Sequence, residues 1–514
     1  MAECGKVFLV GAGPGDPGLL TLKGQRCLQQ ADFVLYDGLV NPIILRHSAA
    51  HAERTCRSPS PEGRDLNQDE INRRMIDAAR AGKTVVRLKG GDPFIFGRGS
   101  EEAAALAEAG IEFEVVPGVT AAVAAGEYAG ISLTHREFAS SVAFITGHEN
   151  PAKTEASLDY RTLAEFPGTL VFYMGLHRLP EIAAALIDSG KPADTPACVV
   201  SRATLPTQQI VSGTLVELPG AVSRAGIRAP SVIIVGECVR IREQAAWFEK
   251  RPLIGQKIGI TRAVQQADDA ISLAIDLGAE PVLIPTIRIS PPGDWSEIDS
   301  EIEKISEYDW LVFTSSNGVQ SLLGRLWETG ADVRRLGRVR IAAIGPATAD
   351  ALARYHLRAD LVPASYRAES LASELISQAL GQKMLWARAS RGRDVLPDML
   401  RAAGSSIREL VVYRNEDVDG FAPEQLARIE RGELDWIVLS SPSIARNLKR
   451  LLSPAAEARL GSPTLLASIS PVTTQAAEEV GLPISAEATD YTWPGIFRAI
   501  VAFRERLKSI PPSH

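Results

Sequence analysis

Short β-branched runs alternate with helical patterns through the first half of the chain. Val7–Val10, Asp32–Tyr36, Thr84–Leu88, Phe113–Val116, Val142–Ile145 and Thr169–Met174 are strand-sized and bounded by turn residues. One helix start is well signed. Asn67 with Glu70 three residues later forms a capping-box-like pair, and Ile71, Met75 and Ala79 follow on one face. This rhythm predicts α/β architecture. A boundary is predicted at 247–256, where Pro252 and Gly255 punctuate the chain after the strand-like Ser231–Gly236. It separates a domain of residues 1–246 from one of residues 257–508, with 247–256 as linker.

The second half carries a duplication. Lys257-Ile-Gly-Ile-Thr-Arg262 is echoed by Lys383-Met-Leu-Trp-Ala-Arg388, and Asp309-Trp-Leu-Val-Phe by Asp435-Trp-Ile-Val-Leu, both 126 residues on. Ile344-Gly-Pro-Ala-Thr348 returns as Ile469-Ser-Pro-Val-Thr473, and Tyr366 as Tyr491, both at 125. This period is too long for a solenoid and predicts two copies of one α/β lobe, residues 257–382 and 383–508. Paired lobes commonly bind a ligand between them.

Composition narrows the class. The 514 residues are 45% apolar and 23% charged, enough for three or four compact units. No run approaches the length of a membrane span, and Met1–Lys6 leads into a strand with no room for a signal peptide. Five scattered cysteines without a Cys-x-x-Cys pair fit neither a disulfide scaffold nor a zinc cage, so a reducing, cytoplasmic setting is expected. The net charge of −7 is evenly spread, with 25 basic and 29 acidic side chains in residues 1–250, which speaks against a nucleic-acid binder. His47 and His51 have helical metal spacing but no third ligand nearby, so no metal site is expected.

Candidate chemistry begins at Gly11-Ala-Gly13-Pro14-Gly15-Asp16-Pro17-Gly18. The glycine spacing matches a dinucleotide-binding turn, with Asp37 ending the next strand, so an NAD-dependent oxidoreductase is one reading. Pro14 and Pro17 argue against it, because each removes a backbone N–H that a pyrophosphate would use. A second segment, Arg87-Leu-Lys-Gly90-Gly91-Asp92-Pro-Phe-Ile95-Phe-Gly-Arg-Gly99, has adjacent glycines that let backbone approach a ligand, and Asp92 suits a cationic group. Val116-Pro-Gly-Val-Thr120-Ala121 and Phe172-Tyr-Met174-Gly175 repeat the arrangement.

In this order these four segments resemble uroporphyrinogen-III C-methyltransferases of the tetrapyrrole methylase superfamily, across residues 1 to about 245. Residues 252 to about 505 resemble uroporphyrinogen-III synthases through Phe313-Thr-Ser-Ser-Asn-Gly318, Ala343-Ile-Gly-Pro-Ala-Thr-Ala349, Tyr366-Arg-Ala-Glu-Ser370, Glu409-Leu-Val-Val-Tyr413 and Tyr491-Thr-Trp-Pro-Gly495. The resemblance implies a two-lobed methylase fold followed by two similar α/β lobes of the synthase type.

It also implies S-adenosylmethionine (SAM) as methyl donor, surrounded by Pro14, Gly90, Gly91, Asp92, Ile95, Thr120, Ala121, Met174 and Ala203. Asp37 matches the family's candidate base. The Gly-Lys-Arg of relatives, whose Lys is a suggested proton donor, is replaced here by Ser58-Pro59-Ser60, leaving that role unassigned beside Arg57 and Arg64. An impaired, tetrapyrrole-binding methylase is therefore a second reading. In the synthase half the resemblance implies cofactor-free cyclisation of hydroxymethylbilane to uroporphyrinogen III with loss of water. Methylation at carbons 2 and 7 then gives precorrin-2, toward sirohaem and corrinoids. Tyr413 matches the proton donor to the leaving hydroxyl. Ser315, Ser316, Thr348, Ser441 and Tyr491 are hydroxyl candidates for substrate carboxylates, and Arg388, Arg391 and Arg393 a candidate anion site. Methylase relatives pair as homodimers.

Overall fold

The computed structural model describes residues 4–49, 51–58, 65–147, 158–392 and 394–509. These fall into two compact units that divide between Gln256 and Lys257, except that Ala274–Glu280 groups with the first.

The first unit holds two sheets. β1 (Val7–Gly11), β2 (Phe33–Tyr36), β3 (Glu53–Cys56), β4 (Val85–Lys89) and β5 (Phe113–Val116) form an all-parallel sheet in the order β3-β2-β4-β1-β5. Core layers cover both its faces: Leu9, Leu35 and Met75 on one side, Val10, Val34 and Leu88 on the other. That two-sided burial is why β1 and β2 read as continuous apolar runs, whereas the edge strand β3, Glu53-Arg-Thr-Cys56, does not. The helix over Gln68–Arg80 begins as expected: Asn67 accepts the Glu70 N–H at 2.9 Å, and Ile71, Met75 and Ala79 are fully buried.

The second sheet combines β6 (Val142–Thr146), β7 (Thr169–Tyr173), β8 (Pro196–Ser201), β9 (Gln209–Thr214) and β10 (Ser231–Val235) in the order β6-β7-β10-β8-β9. Only β6 and β7 run parallel; the remaining pairs are antiparallel. The segment expected as a linker is instead packed structure. Phe248 is 2% exposed and its ring packs at a tilt against Tyr128, centroids 4.9 Å apart, while the Trp247 indole donates to the Glu127 carbonyl at 2.9 Å. The apolar area of Phe248 favours its burial there, while Trp247 stays partly exposed.

The second unit also holds two sheets. The first has the order β12-β11-β18-β19-β20, from β11 (Lys257–Ile260), β12 (Glu280–Leu283), β18 (Trp436–Leu439), β19 (Leu465–Ser468) and β20 (Ala486–Glu487). The other has the order β13-β17-β16-β14-β15, from β13 (Ile287–Ser290), β14 (Trp310–Phe313), β15 (Arg340–Ala343), β16 (Lys383–Ala389) and β17 (Ser406–Asp417). The expected lobes, 257–382 and 383–508, are therefore corrected. The duplication relates β11 to β16, β14 to β18 and β15 to β19, yet each sheet takes the opening strand of one copy and the later strands of the other. The pairing is explicit. Asp309 of the first copy accepts the N–H of Lys383 in the second at 2.8 Å, and Asp435 of the second accepts that of Lys257 in the first at 2.7 Å. The chain crosses between lobes near Thr286 and Val418, where the Val418 N–H meets the Thr286 carbonyl at 3.2 Å.

Because β11 pairs with β18 and β16 with β14, neither repeat can complete a sheet alone. Residues 257–382 and 383–509 expressed separately are expected to stay unfolded, and their co-expression to restore a compact unit. Circular dichroism and size-exclusion chromatography of the fragments check this; a folded single fragment would refute it.

Candidate active sites

The loops at the carboxyl ends of β1, β4, β5, β7 and β8 meet in the first unit. Gly13 and Gly91 exchange backbone bonds, at 3.2 Å and 2.8 Å, linking the Pro14 loop to the Gly90–Ile95 loop. The backbones approach so closely that a Cβ on Gly118 would lie 2.3 Å from the Gly91 carbonyl oxygen and 2.7 Å from the Gly11 Cα. Only glycine fits there. Asp92 is spent on this loop: its oxygens accept the N–H groups of Phe94, Ile95 and Gly118 at 2.9, 3.2 and 3.1 Å. Its role in the structure is to shape the loop.

The second sheet closes on this cluster through Tyr173. Its hydroxyl bonds Thr120 at 2.6 Å and the Ala122 N–H at 2.8 Å, and its ring lies 5.0 Å from Phe96. Met174, the next residue, has φ +54° and is 53% exposed, with Ile95 and Phe96 also left in solvent. Ala203 is buried between Arg202 and Thr204, both at positive φ, and the Thr204 hydroxyl accepts the Asp16 N–H at 2.9 Å. Of the six non-glycine residues at positive φ among the described residues, five (Phe96, Arg98, Met174, Arg202 and Thr204) lie in these loops. Strained backbone of this kind concentrates at functional sites.

The dinucleotide reading fails at Asp16. Its carboxylate accepts the Gly18 N–H at 2.8 Å and the Tyr128 hydroxyl at 2.7 Å, so a negative charge already stands where a pyrophosphate would bind. Only a three-residue turn, Pro17–Leu19, follows, and the helix starts at Leu22.

Asp37 is joined to a buried charge network that sequence reasoning did not detect. Arg87, fully buried in β4, donates to Asp37 at 2.5 Å and to Glu102 at 3.1 Å; Lys89 donates to the same Glu102 oxygen at 2.9 Å. The signal was present: cations at positions 87 and 89 share one face of an otherwise apolar strand. Burial alone would lower Arg87's pKa, but the carboxylates of Asp37 and Glu102 outweigh it and raise it. Lys89 moves down, through burial first and then through Arg87's charge. Arg57 stands 3.9 Å from Asp37. Pro59 and Arg64 lie outside the described residues. His47 ends a short turn of helix, 42–47, and bonds Gln25, whereas His51 pairs with Asp32; no group of three metal-ligating side chains occurs among the described residues.

In the second unit Tyr413, on β17, is buried and its hydroxyl lies 3.0 Å from Ser315 Oγ. Ser315 caps the helix Ser316–Glu328 by accepting the Gly318 N–H at 3.0 Å. Burial raises the Tyr413 pKa, opposed by Ser315 and Asn317. Ser316 donates to the Ala347 carbonyl at 2.8 Å, beside the buried Thr348. Ser441 is the repeat-equivalent of Ser315 and caps Pro442–Leu451 in the other lobe, where Tyr491 is 61% exposed. The arginine cluster is locally neutralised. Arg388 bonds Glu409 and Asp394 and stacks on Trp386, Arg391 pairs with Asp417 at 2.7 Å, and Arg393 lies outside the described residues.

Comparison with known proteins sets these sites in a family. Residues 6–219 match the family model for tetrapyrrole (corrin/porphyrin) methylases, and residues 268–498 that for uroporphyrinogen-III synthase HemD. A porphyrin biosynthesis protein HemD from Ruminiclostridium josui is 37% identical over 443 residues, 86% of this chain and 88% of its own length. The chain is a member of this fused methylase–synthase family. It is thereby a SAM-dependent methyltransferase and a uroporphyrinogen-III synthase acting in tetrapyrrole biosynthesis. A siroheme synthase from Pseudomonas fluorescens (strain Pf0-1) is 51% identical over 249 residues, 48% of this chain; the chain spans about half, 53%, of that relative. The uroporphyrin-III C-methyltransferase structure from Thermus thermophilus is 40% identical, covering 46% of this chain and 94% of that one, with a TM-score of 0.40. No helix of the described residues is long and apolar enough to cross a membrane.

Glu102 is the shared acceptor of two buried cations, so Glu102→Gln should destabilise the protein by about 3 kcal/mol, measured by urea unfolding. Lys89's folded pKa lies below its ordinary 10.5, so between the two values the unfolded chain binds more protons. The variant's stability should accordingly rise with pH in that window. An unchanged midpoint at pH 7 would show that the network does not carry this charge.

Proposed function

We propose that the chain converts hydroxymethylbilane to uroporphyrinogen III in its second unit and methylates that product at carbons 2 and 7 in its first, yielding precorrin-2. The carrying observation is the meeting of the Pro14, Gly90–Ile95, Thr120–Ala121, Met174 and Ala203 segments around one set of strand ends. These residues fit SAM. A Cβ on Gly90 would meet only Leu39, at 3.4 Å, so the backbone there is open to a ligand, and Ile95 and Met174 offer apolar surface. When bound, SAM supplies an electrophilic methyl group on sulfonium. Gly90, Gly91, Thr120 and Ala121 would hold it by main-chain groups, with Asp92 keeping that loop in shape.

Asp37 acts as the base that takes the pyrrole N–H proton. One of its oxygens is engaged by Arg87, which holds the carboxylate in place. Positioning of carbon against methyl supplies most of the remaining acceleration. Arg57, the described cation nearest to Asp37 besides Arg87, is a carboxylate clamp and not a proton donor, because a guanidinium stays protonated. In the second unit Tyr413 protonates the leaving hydroxyl. Ser316, Thr348, Ser441 and Tyr491 bind substrate carboxylates, joined by Arg391, whose side chain is 57% exposed beside its Asp417 partner. A methylase homodimer belongs to the same reading.

The test is a coupled assay of the whole chain with hydroxymethylbilane and SAM. Asp37→Asn should lower methylation by about 10²-fold or more and leave cyclisation intact, while Tyr413→Phe should do the reverse. Uroporphyrinogen III accumulating without methylation in the unaltered protein would favour the impaired-methylase reading that Pro59 suggests. Neither product would refute both assignments.

A further inference from the structure

We infer that Asn317 is a positioning residue for Tyr413, its side-chain amide donating to the phenolate that forms when Tyr413 surrenders its proton. The inference deepens, and rests on, the assignment of Tyr413 as proton donor. Asn317 is the second residue of the helix Ser316–Glu328 and is only 9% exposed. Its Nδ2 is buried without a hydrogen-bond partner among the described residues. Folded proteins seldom leave such a donor idle, and an idle one beside a reacting group is a recognised exception. Asn317 lies two residues after Ser315 in the same first turn, and Ser315 Oγ is 3.0 Å from the Tyr413 hydroxyl. The Asn317 amide favours the ionised phenol in the same sense as Ser315.

The other groups around the phenol are already engaged. Ser315 Oγ accepts from the Gly318 N–H at 3.0 Å and lies 3.0 Å from the Tyr413 oxygen. It can share one hydroxyl proton with a phenolate and no more. The Asn317 amide has two, and the start of a thirteen-residue helix adds a favourable field for negative charge.

The chemistry explains why a donor unused in the resting site is an advantage. Tyr413 passes its proton to the hydroxymethyl oxygen of the linear tetrapyrrole. The carbon–oxygen bond breaks, its electron pair leaves with water, and the pyrrole nitrogen lone pair moves in to give an azafulvenium cation. Tyr413 is now a buried anion. It regains a proton from the pyrrole carbon that loses one after ring closure, so the cycle balances with water as the sole by-product. A donor that bonds the phenolate but not the phenol stabilises the charge-separated state over the resting state, which accelerates the step without tightening substrate binding.

The experiment uses the full chain with tyrosine labelled at Cζ by carbon-13, the Tyr413 resonance being assigned by its loss in Tyr413→Phe. Asn317→Ala should raise the Tyr413 titration midpoint and lower the kcat of hydroxymethylbilane cyclisation by about 10²-fold with KM unchanged. Asn317→Asp, which keeps the shape but replaces the donor by a carboxylate, should raise the midpoint further; it also serves if Asn317→Ala is poorly folded by circular dichroism. In a Tyr413→Phe background Asn317→Ala should cost nothing more. An unmoved titration, an unmoved kcat, or additive losses in the double variant would overturn the inference while leaving Tyr413 as donor. Full cyclisation by Tyr413→Phe alone would overturn both.

Discussion

A backbone N–H at the start of a strand has no partner within its own strand, and in this protein an aspartate side chain reaches across from a neighbouring segment to accept from it. Asp32 serves Thr84, Asp360 serves Ile341, Asp309 serves Lys383 and Asp435 serves Lys257, all within 2.7–2.8 Å. Each bond joins segments distant in sequence and so fixes which strand start lies beside which. In the first unit Asp32 ties the start of β2 to that of β4. In the second, the Asp309 and Asp435 bonds run between repeats and hold the exchanged lobes in register. The opposite ends of the strands, where the chemistry sits, inherit their placement from these anchors.

The two candidate sites use polar groups differently. Around Asp37 the charges are matched: two buried cations and two carboxylates share one strand face and its neighbours, so the carboxylate is held in a fixed orientation. Around Tyr413 there is no formal charge among its named partners, only hydroxyl and amide groups beside a phenol that burial keeps protonated. The first environment suits a base that must be ready at rest. The second suits an acid whose anion exists only in passing, and such an anion is better met by neutral donors than by a resident cation that would ionise the phenol beforehand.

The duplication adds a further asymmetry. Ser315 and Ser441 are equivalent caps 126 residues apart, and Thr348 and Thr473 equivalent first-turn residues at 125, yet at an offset of 126 the counterpart of Tyr413 is Ile287. One lobe carries the phenol and the other does not. Exchange of strands between copies lets such divergence proceed without loss of the fold, because each sheet still receives one set of strands from each copy.

Much was legible from the linear chain. Apolar runs located β1, β2, β4, β5, β6, β7 and β10, and Asn67 marked a helix start because its side-chain oxygen accepts the Glu70 N–H within one turn. The duplication was legible too, since repeated residues occupy repeated positions. What periodicity cannot encode is which partner a strand takes. The exchange of β11 and β16 between lobes, the packing of Trp247 and Phe248 against Tyr128, the meeting of Arg87, Lys89 and Glu102, and the idle amide of Asn317 all depend on contacts between residues far apart in sequence. Local pattern reports how a segment will fold and which face it buries. Only packing decides what lies against that face, because the energy of a buried charge or an unpaired donor is settled by neighbours that the chain brings in from elsewhere.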